Sequence, residues 1–167
     1  ALEDHNFFTS SVQYVEPYRT WLVKYCQSWG EYLSSSESWN KEYEELMMIQ
    51  EELGMTKGWY EDPSNWHSFN DFFARYLKSA DQRPIAEPND ASVVVSPCDS
   101  EPQGVWAIDQ DSYIVTDDKI AVKSRVFNSV KNLISPESPY CDAFAGGTFY
   151  HAFLNVNDYH RYHFPVD

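Results

Sequence analysis

The chain has 167 residues, 43% of them hydrophobic and 17% aromatic, which supplies a packed core for one modest domain and excludes a disordered segment. Its formal net charge of −14 repels phosphate backbones, so nucleic acid is excluded as a partner, and it offers no basic cluster for anionic lipid. No apolar run approaches the roughly 20 residues needed to span a bilayer.

The chain opens on Ala1-Leu2-Glu3-Asp4-His5, which has neither the basic region nor the apolar core of a secretory signal. Tyr18, Trp21, Leu22, Tyr25, Trp29 and Leu33 then recur at spacings of three and four. This predicts a helix with one apolar stripe, Pro17 in its first turn and Ser34-Ser35-Ser36 at its end. A second helix is expected from about Trp39 to Leu53, turning Tyr43, Leu46, Met47 and Ile49 inward, with Gly54 closing it. Glu42, Glu44, Glu45, Glu51 and Glu52 read as its solvated face. Asp62-Pro63-Ser64 marks a turn, and Ser68-x-x-Asp71 resembles a capping box with Asp in the usual Glu position. Behind it, Phe69, Phe72, Phe73, Tyr76 and Leu77 form a dense stripe that reads as core. Arg83-Pro84 and Pro88-Asn89-Asp90 form the linker out.

From Ser92 onward the pattern changes to short strands. Val93-Val94-Val95 reads as a buried strand stopped by Pro97. Strands follow at Val105 to Ile108, Tyr113 to Val115 and Ile120 to Val122. Val126, Val130 and Leu133 suggest one short helix, and Gly146-Gly147 opens a last strand from Thr148 to Leu154. The expected fold is α+β, with a helical region over residues 1–90 and a mainly antiparallel β core, incomplete in this chain, over 91–167. Cys26, Cys98 and Cys141 are odd in number, widely spaced and without a CxxC pair, which predicts a reducing compartment and a soluble, cytoplasmic protein. The chain lacks an initiator Met and stops at Pro165-Val166-Asp167, so both ends are expected to be cut, as in a trimmed or processed fragment.

The most informative segment is Asp158-Tyr159-His160-Arg161-Tyr162-His163-Phe164-Pro165. A spacing of three places His160 and His163 on one side of a turn but on opposite faces of a strand. From spacing alone they read as surface or capping histidines. A metal site drawing in His151 is the alternative, although no recognised ligand pattern is present and none is expected.

The segment from Phe144-x-Gly146-Gly147 through Leu154 to Asp158-Tyr159-His160-Arg161-x-His163-x-Pro165 resembles phosphatidylserine decarboxylases. So do Ser96-Pro97-Cys98-Asp99, followed by Ser100 where that family has Gly, and Phe72-Phe73-x-Arg75-x-Leu77-Lys78 with Arg83-Pro84. The resemblance implies a self-processing, pyruvoyl-dependent carboxy-lyase. In that family a serine within a Leu-Gly-Ser-Thr-like motif attacks the preceding peptide bond and becomes an N-terminal pyruvoyl group. The pyruvoyl carbonyl then forms a Schiff base with the substrate amine and acts as an electron sink. By this correspondence His163 is the base on the serine, Asp99 its orienter, and His160 the residue that positions the substrate carboxylate or assists protonation. No Leu-Gly-Ser or Gly-Ser-Thr occurs in the chain, so the pyruvoyl serine is expected C-terminal to it, on a partner chain from the same precursor. A homodimer is left open.

Two substrate branches compete. Ser28-Trp29-Gly30-x-Tyr32-Leu33-Ser34-Ser35 and Phe153-Leu154-Asn155-Val156 resemble the soluble branch that includes fungal tryptophan decarboxylases, and the acidic charge agrees. Asp99 is instead typical of the lipid enzymes. The resemblance therefore implies decarboxylation of a free aromatic amino acid, with phosphatidylserine decarboxylation to phosphatidylethanolamine as the alternative. The Ser100 departure leaves a third reading, a non-catalytic relative used as an interaction protein.

Overall fold

The computed structural model describes residues 12–116, 120–122 and 125–165; the expected cut ends at Ala1–His5 and at Val166 and Asp167 lie outside them. The fold is α+β, and among the described residues every strand lies after residue 100. The chain forms two compact units. One takes in the chain up to Asp99 together with the segment from Val156 onward, and the other is Ser100–Asn155.

In the first unit, α1 spans Tyr18–Leu33. Its stripe becomes an aromatic ladder: Tyr18 stacks on Trp21 at 5.5 Å, Trp21 on Tyr25 at 5.6 Å, and Trp29 lies against Tyr32 at 5.3 Å. None of its residues is buried. The serine run ends the helix by bonding back onto it, Ser34 Oγ donating to Gly30 O at 2.9 Å and Ser35 Oγ to Tyr32 O at 2.8 Å.

The second helix is shorter than its periodicity predicts. α2 spans Lys41–Met48, capped by Asn40, whose Oδ1 accepts from Tyr43 N–H at 2.9 Å. The chain turns extended at Gln50, and a separate 3₁₀ turn, Glu51–Leu53, closes on Gly54 in the left-handed region at φ 67°. A continuous helix would carry Glu51 and Glu52 at its negative C-terminal end. The break places them in a first turn, where carboxylates are favourable. The inward face also differs: Met47 and Met48 pack on the core, whereas Tyr43, Leu46 and Ile49 are exposed.

That core is Trp39, Leu53, Met55, Trp66 and Phe72. Trp39 stacks on Phe72 at 4.8 Å, and Trp66 meets Phe72 edge-on at 5.5 Å. Phe72 belongs to α3, Phe69–Phe73, whose Ser68 cap accepts from Asp71 N–H at 3.2 Å. Asp71 Oδ2 accepts from His67 N–H at 3.0 Å, so the shorter acid closes the box one residue earlier than a Glu does. Buried Ser38 joins the region to the end of α1: its Oγ accepts from Phe69 N–H at 2.9 Å and faces Ser35 O at 2.8 Å. Of the expected aromatic stripe, Tyr76 is exposed rather than core.

Val93–Val95 forms no strand. Turn bonds from Asp90 N–H to Glu87 O and from Val93 N–H to Asp90 O curl the chain instead, and Val94 is 71% exposed.

In the second unit, β1 (Glu101–Ala107) pairs antiparallel with β4 (Thr148–Phe153), with a register shift between Pro102 and Gly104. At Gly104 a Cβ would stand 2.3 Å from the Trp106 ring, so glycine admits the indole there. β2 (Ile120–Val122) and β3 (Arg125–Phe127) form a second antiparallel pair. Val126 lies in β3 rather than in the expected helix; α4 spans Val130–Ile134, capped by Ser129. Tyr113–Val115 makes bridges rather than a strand, Ile108 to Ile114 and Tyr113 to Ser129. Ile108, Ile114, Ile120 and Val130 form this unit's core, with Trp106 and Phe149 against it. No helix among the described residues is long and apolar enough to cross a membrane.

Ser38→Ala removes a buried acceptor that Phe69 N–H uses, and it is expected to lower stability by about 1–3 kcal/mol, against under about 0.5 kcal/mol for exposed Ser36→Ala. Urea denaturation of both variants checks this. Gly54 and Gly58 sit at φ 67° and 68°, but only at Gly54 does a Cβ meet the Trp59 ring, at 3.1 Å. Both alanine variants should lose about 1–2 kcal/mol to left-handed strain, and Gly54→Ala should lose more. Equal denaturation midpoints would show that Trp59 yields without cost.

Candidate active site

The segment from Asp158 to Pro165 has no regular secondary structure, so side chains and single backbone bonds position it. Tyr159 anchors it, 4% exposed, with its ring 6.1 Å from Tyr60. Burial pushes the Tyr159 phenol above its ordinary pKa, opposed by a hydrogen bond involving the Leu77 backbone. The neutral phenol is therefore favoured.

His160 is half-buried, its ring stacked on Phe73 at 4.0 Å and 30°. Its Nε2 lies 3.3 Å from Val156 O. A carbonyl only accepts, so this bond selects the tautomer with the proton on Nε2, and Nδ1 is left as the basic nitrogen. His163 is exposed, with its ring 6.1 Å from the Tyr159 ring at 25°. Its backbone N–H donates to Pro97 O at 2.6 Å, which ties the histidine segment to Ser96-Pro97-Cys98-Asp99.

Asp99 and His163 therefore come from two segments that touch, yet no hydrogen bond or ion pair joins the two side chains among the described residues. Both Asp99 carboxylate oxygens are instead held by a cation. Arg83 Nε donates to Oδ1 at 2.7 Å and Arg83 Nη2 to Oδ2 at 2.5 Å. This is the bidentate fork for which guanidinium is suited. The pair is about three-quarters shielded, the side chains being 25% and 28% exposed. The carboxylate raises the Arg83 pKa still further above its ordinary value. The guanidinium also lies over Trp59 at 4.6 Å and Tyr159 at 6.0 Å.

Arg83 is thus a site residue that sequence reasoning missed. Arg83-Pro84 reads as linker, and its one signal was its place among the resembling motifs. Arg75 and Arg161 were missed in the same way. Arg161 donates through Nε to Ala74 O at 2.9 Å and also through Nη2, and it lies 3.9 Å over Tyr76. His151 belongs to β4 in the other unit, and no cluster of three metal-ligating side chains occurs among the described residues.

Comparison with known proteins matches residues 69–167 to the family described as phosphatidylserine decarboxylase. The phosphatidylserine decarboxylase proenzyme of Saccharophagus degradans is 36% identical over 114 residues, which cover 68% of this chain and 36% of that protein. The proenzyme of Salmonella paratyphi B is 31% identical over 163 residues, 97% of this chain and 46% of the relative. The chain thus spans less than half the length of either relative. The family match covers more than half of the chain and takes in the α3 motif, Asp99 and the whole histidine segment, so the chain belongs to the phosphatidylserine decarboxylase family.

Proposed function

We propose that this chain is the histidine-bearing portion of a phosphatidylserine decarboxylase proenzyme, which cuts itself and then removes the serine carboxylate of phosphatidylserine to leave phosphatidylethanolamine. The observation that carries this reading is the similarity to a relative of that name along 97% of the chain. That span leaves little of the helical region outside it, so the features first read as marks of an amino-acid enzyme do not separate the two substrates. The net charge of −14 favours the competing substrate, a free aromatic amino acid, because an acidic surface is repelled by anionic lipid.

The residues present fit a pyruvoyl group formed on a serine supplied from elsewhere in the precursor. His163 is exposed, neither ring nitrogen is hydrogen-bonded among the described residues, and Tyr162 and Phe164 beside it are 83% and 86% exposed. The imidazole is therefore open to an approaching hydroxyl. When formed, the group would supply a sink for the electron pair that stays on the substrate carbon as CO₂ leaves. His163 takes the serine proton, held by its backbone bond to Pro97 and by the Tyr159 ring. Asp99 is held in the Arg83 fork, and the lone pairs that the fork leaves on its oxygens are what it offers to orient His163. His160, with no hydrogen bond on Nδ1 among the described residues, positions the substrate carboxylate or carries the proton that replaces CO₂.

In the full-length precursor, His163→Ala is expected to remain a single uncut chain, because removing such a base costs on the order of 10⁴-fold. His160→Ala should still cut into two chains yet decarboxylate about 10²- to 10⁴-fold more slowly. A denaturing gel and CO₂ release from phosphatidylserine vesicles, with free tryptophan in parallel, check all three claims. Normal cutting in both variants removes His163 as the base. Release from tryptophan alone establishes the amino-acid substrate, and wild-type precursor that never cuts marks a non-catalytic relative.

A further inference from the structure

Arg75 is 1% exposed, and no carboxylate pairs with it among the described residues. A buried cation without a counter-charge is expensive, so what its donors reach matters. Nη1 reaches Phe72 O at 3.4 Å, and Nη2 reaches Tyr60 Oη at 3.4 Å and Asp158 O at 3.5 Å. The guanidinium lies over the Tyr60 ring at 4.4 Å and the Phe72 ring at 5.3 Å. Arg75 thus extends from the end of α3 to the first carbonyl of the histidine segment.

Arg161 makes the opposite connection. It extends from the histidine segment to Ala74 O at the end of α3, with its guanidinium over Tyr76. Each arginine therefore bonds the residue next to, or close to, the origin of the other. Between the two crossings lie Tyr159, which is buried, and His160, which is half-buried, and the His160 ring rests on Phe73, directly before Ala74.

We propose that Arg75 and Arg161 form a reciprocal clasp whose task is to position His160, setting its ring on Phe73 and its Nε2 toward Val156 O so that Nδ1 faces the substrate. This rests on the proposed role of His160 in the decarboxylation step. Both arginines are positioning residues that act through His160. The clasp uses backbone carbonyls rather than carboxylates as partners, so it holds its geometry without adding negative charge beside the imidazole.

The test uses the full-length precursor with ¹⁵N-labelled histidine, the His160 signals being assigned by their loss in His160→Ala. In wild type the His160 ring protons should be displaced by the face of Phe73. In Arg161→Ala they should move toward unstructured values, and Arg161→Lys, which keeps the charge but not the fork, should restore them in part. Arg161→Ala should still cut into two chains, with kcat lowered on the order of 10- to 100-fold and KM changed less than about 3-fold, as for a displaced catalytic group. Unchanged His160 signals in Arg161→Ala overturn the clasp, whatever the activity. So does a displaced ring with an unchanged kcat. Where Arg161→Ala does not fold, Arg161→Gln is judged by the same criteria, and loss of fold in both overturns the proposal by making Arg161 a folding residue only. Wild-type precursor that neither cuts nor decarboxylates sinks the proposed function, while the His160 signals still decide the clasp.

Discussion

The packing of Trp39, Trp66 and Phe72 is the constraint on which the helical unit and its site depend. α3 has only five residues, too few to persist on helical propensity. It is held because Phe72 lies flat on Trp39 and edge-on to Trp66. Once Phe72 is placed, its neighbours are placed with it. Phe73 turns to His160, Ala74 offers its carbonyl to Arg161, and Arg75 is driven inward against Tyr60. Truncation of a buried aromatic of this kind costs about 3–5 kcal/mol, and here the loss would spread to a segment some 85 positions away.

Electrostatically the unit is economical. The chain has 12 Lys and Arg against 26 Asp and Glu, yet three arginines are committed to one segment and its neighbours. Each lies over an aromatic ring: Arg75 over Tyr60, Arg83 over Trp59 and Arg161 over Tyr76. Such contacts contribute about 0.5–2 kcal/mol each and more when desolvated. The aromatic richness that composition assigned to core packing thus has a second use, as a seat for guanidinium groups in an otherwise acidic protein.

The elements legible in the sequence were those governed by local chemistry. The α1 stripe, its serine ending, the Ser68 cap and β4 after Gly146-Gly147 follow from spacing and side-chain type over a few residues. The illegible features depend on partners distant in sequence. α2 stops at Met48 although its apolar spacing continues, because Glu51 and Glu52 are better placed in a new first turn. Val93–Val95 has the composition of a strand, yet a strand needs a neighbour, and the structure gives it a turn bond from Val93 N–H to Asp90 O and a single link to a distant segment, Val95 N–H to Pro165 O, among the described residues. At the site, the motifs brought Asp99, His160 and His163 forward, and the structure does join the two segments through Pro97 and His163. That Asp99 faces a cation instead of an imidazole could not be read, since Arg83 stands 16 positions away in a stretch that resembles linker.

The β1–β4 ribbon has a consequence for how the polypeptide meets other copies of itself. Its sheet contains two strands among the described residues, so each strand turns an outer row of backbone groups away from its partner. On the β1 side, Pro102 and the irregularity beside Gly104 disturb that row. The β4 side has no such irregularity among the described residues: Thr148–Phe153 is six residues rich in aromatics, without proline, Asp, Glu, Lys or Arg. A segment of that composition is suited to stacking in register on copies of itself. An uncovered β4 edge is therefore the side of this ribbon on which a second copy of the chain could add a strand, which makes it the ribbon's aggregation liability.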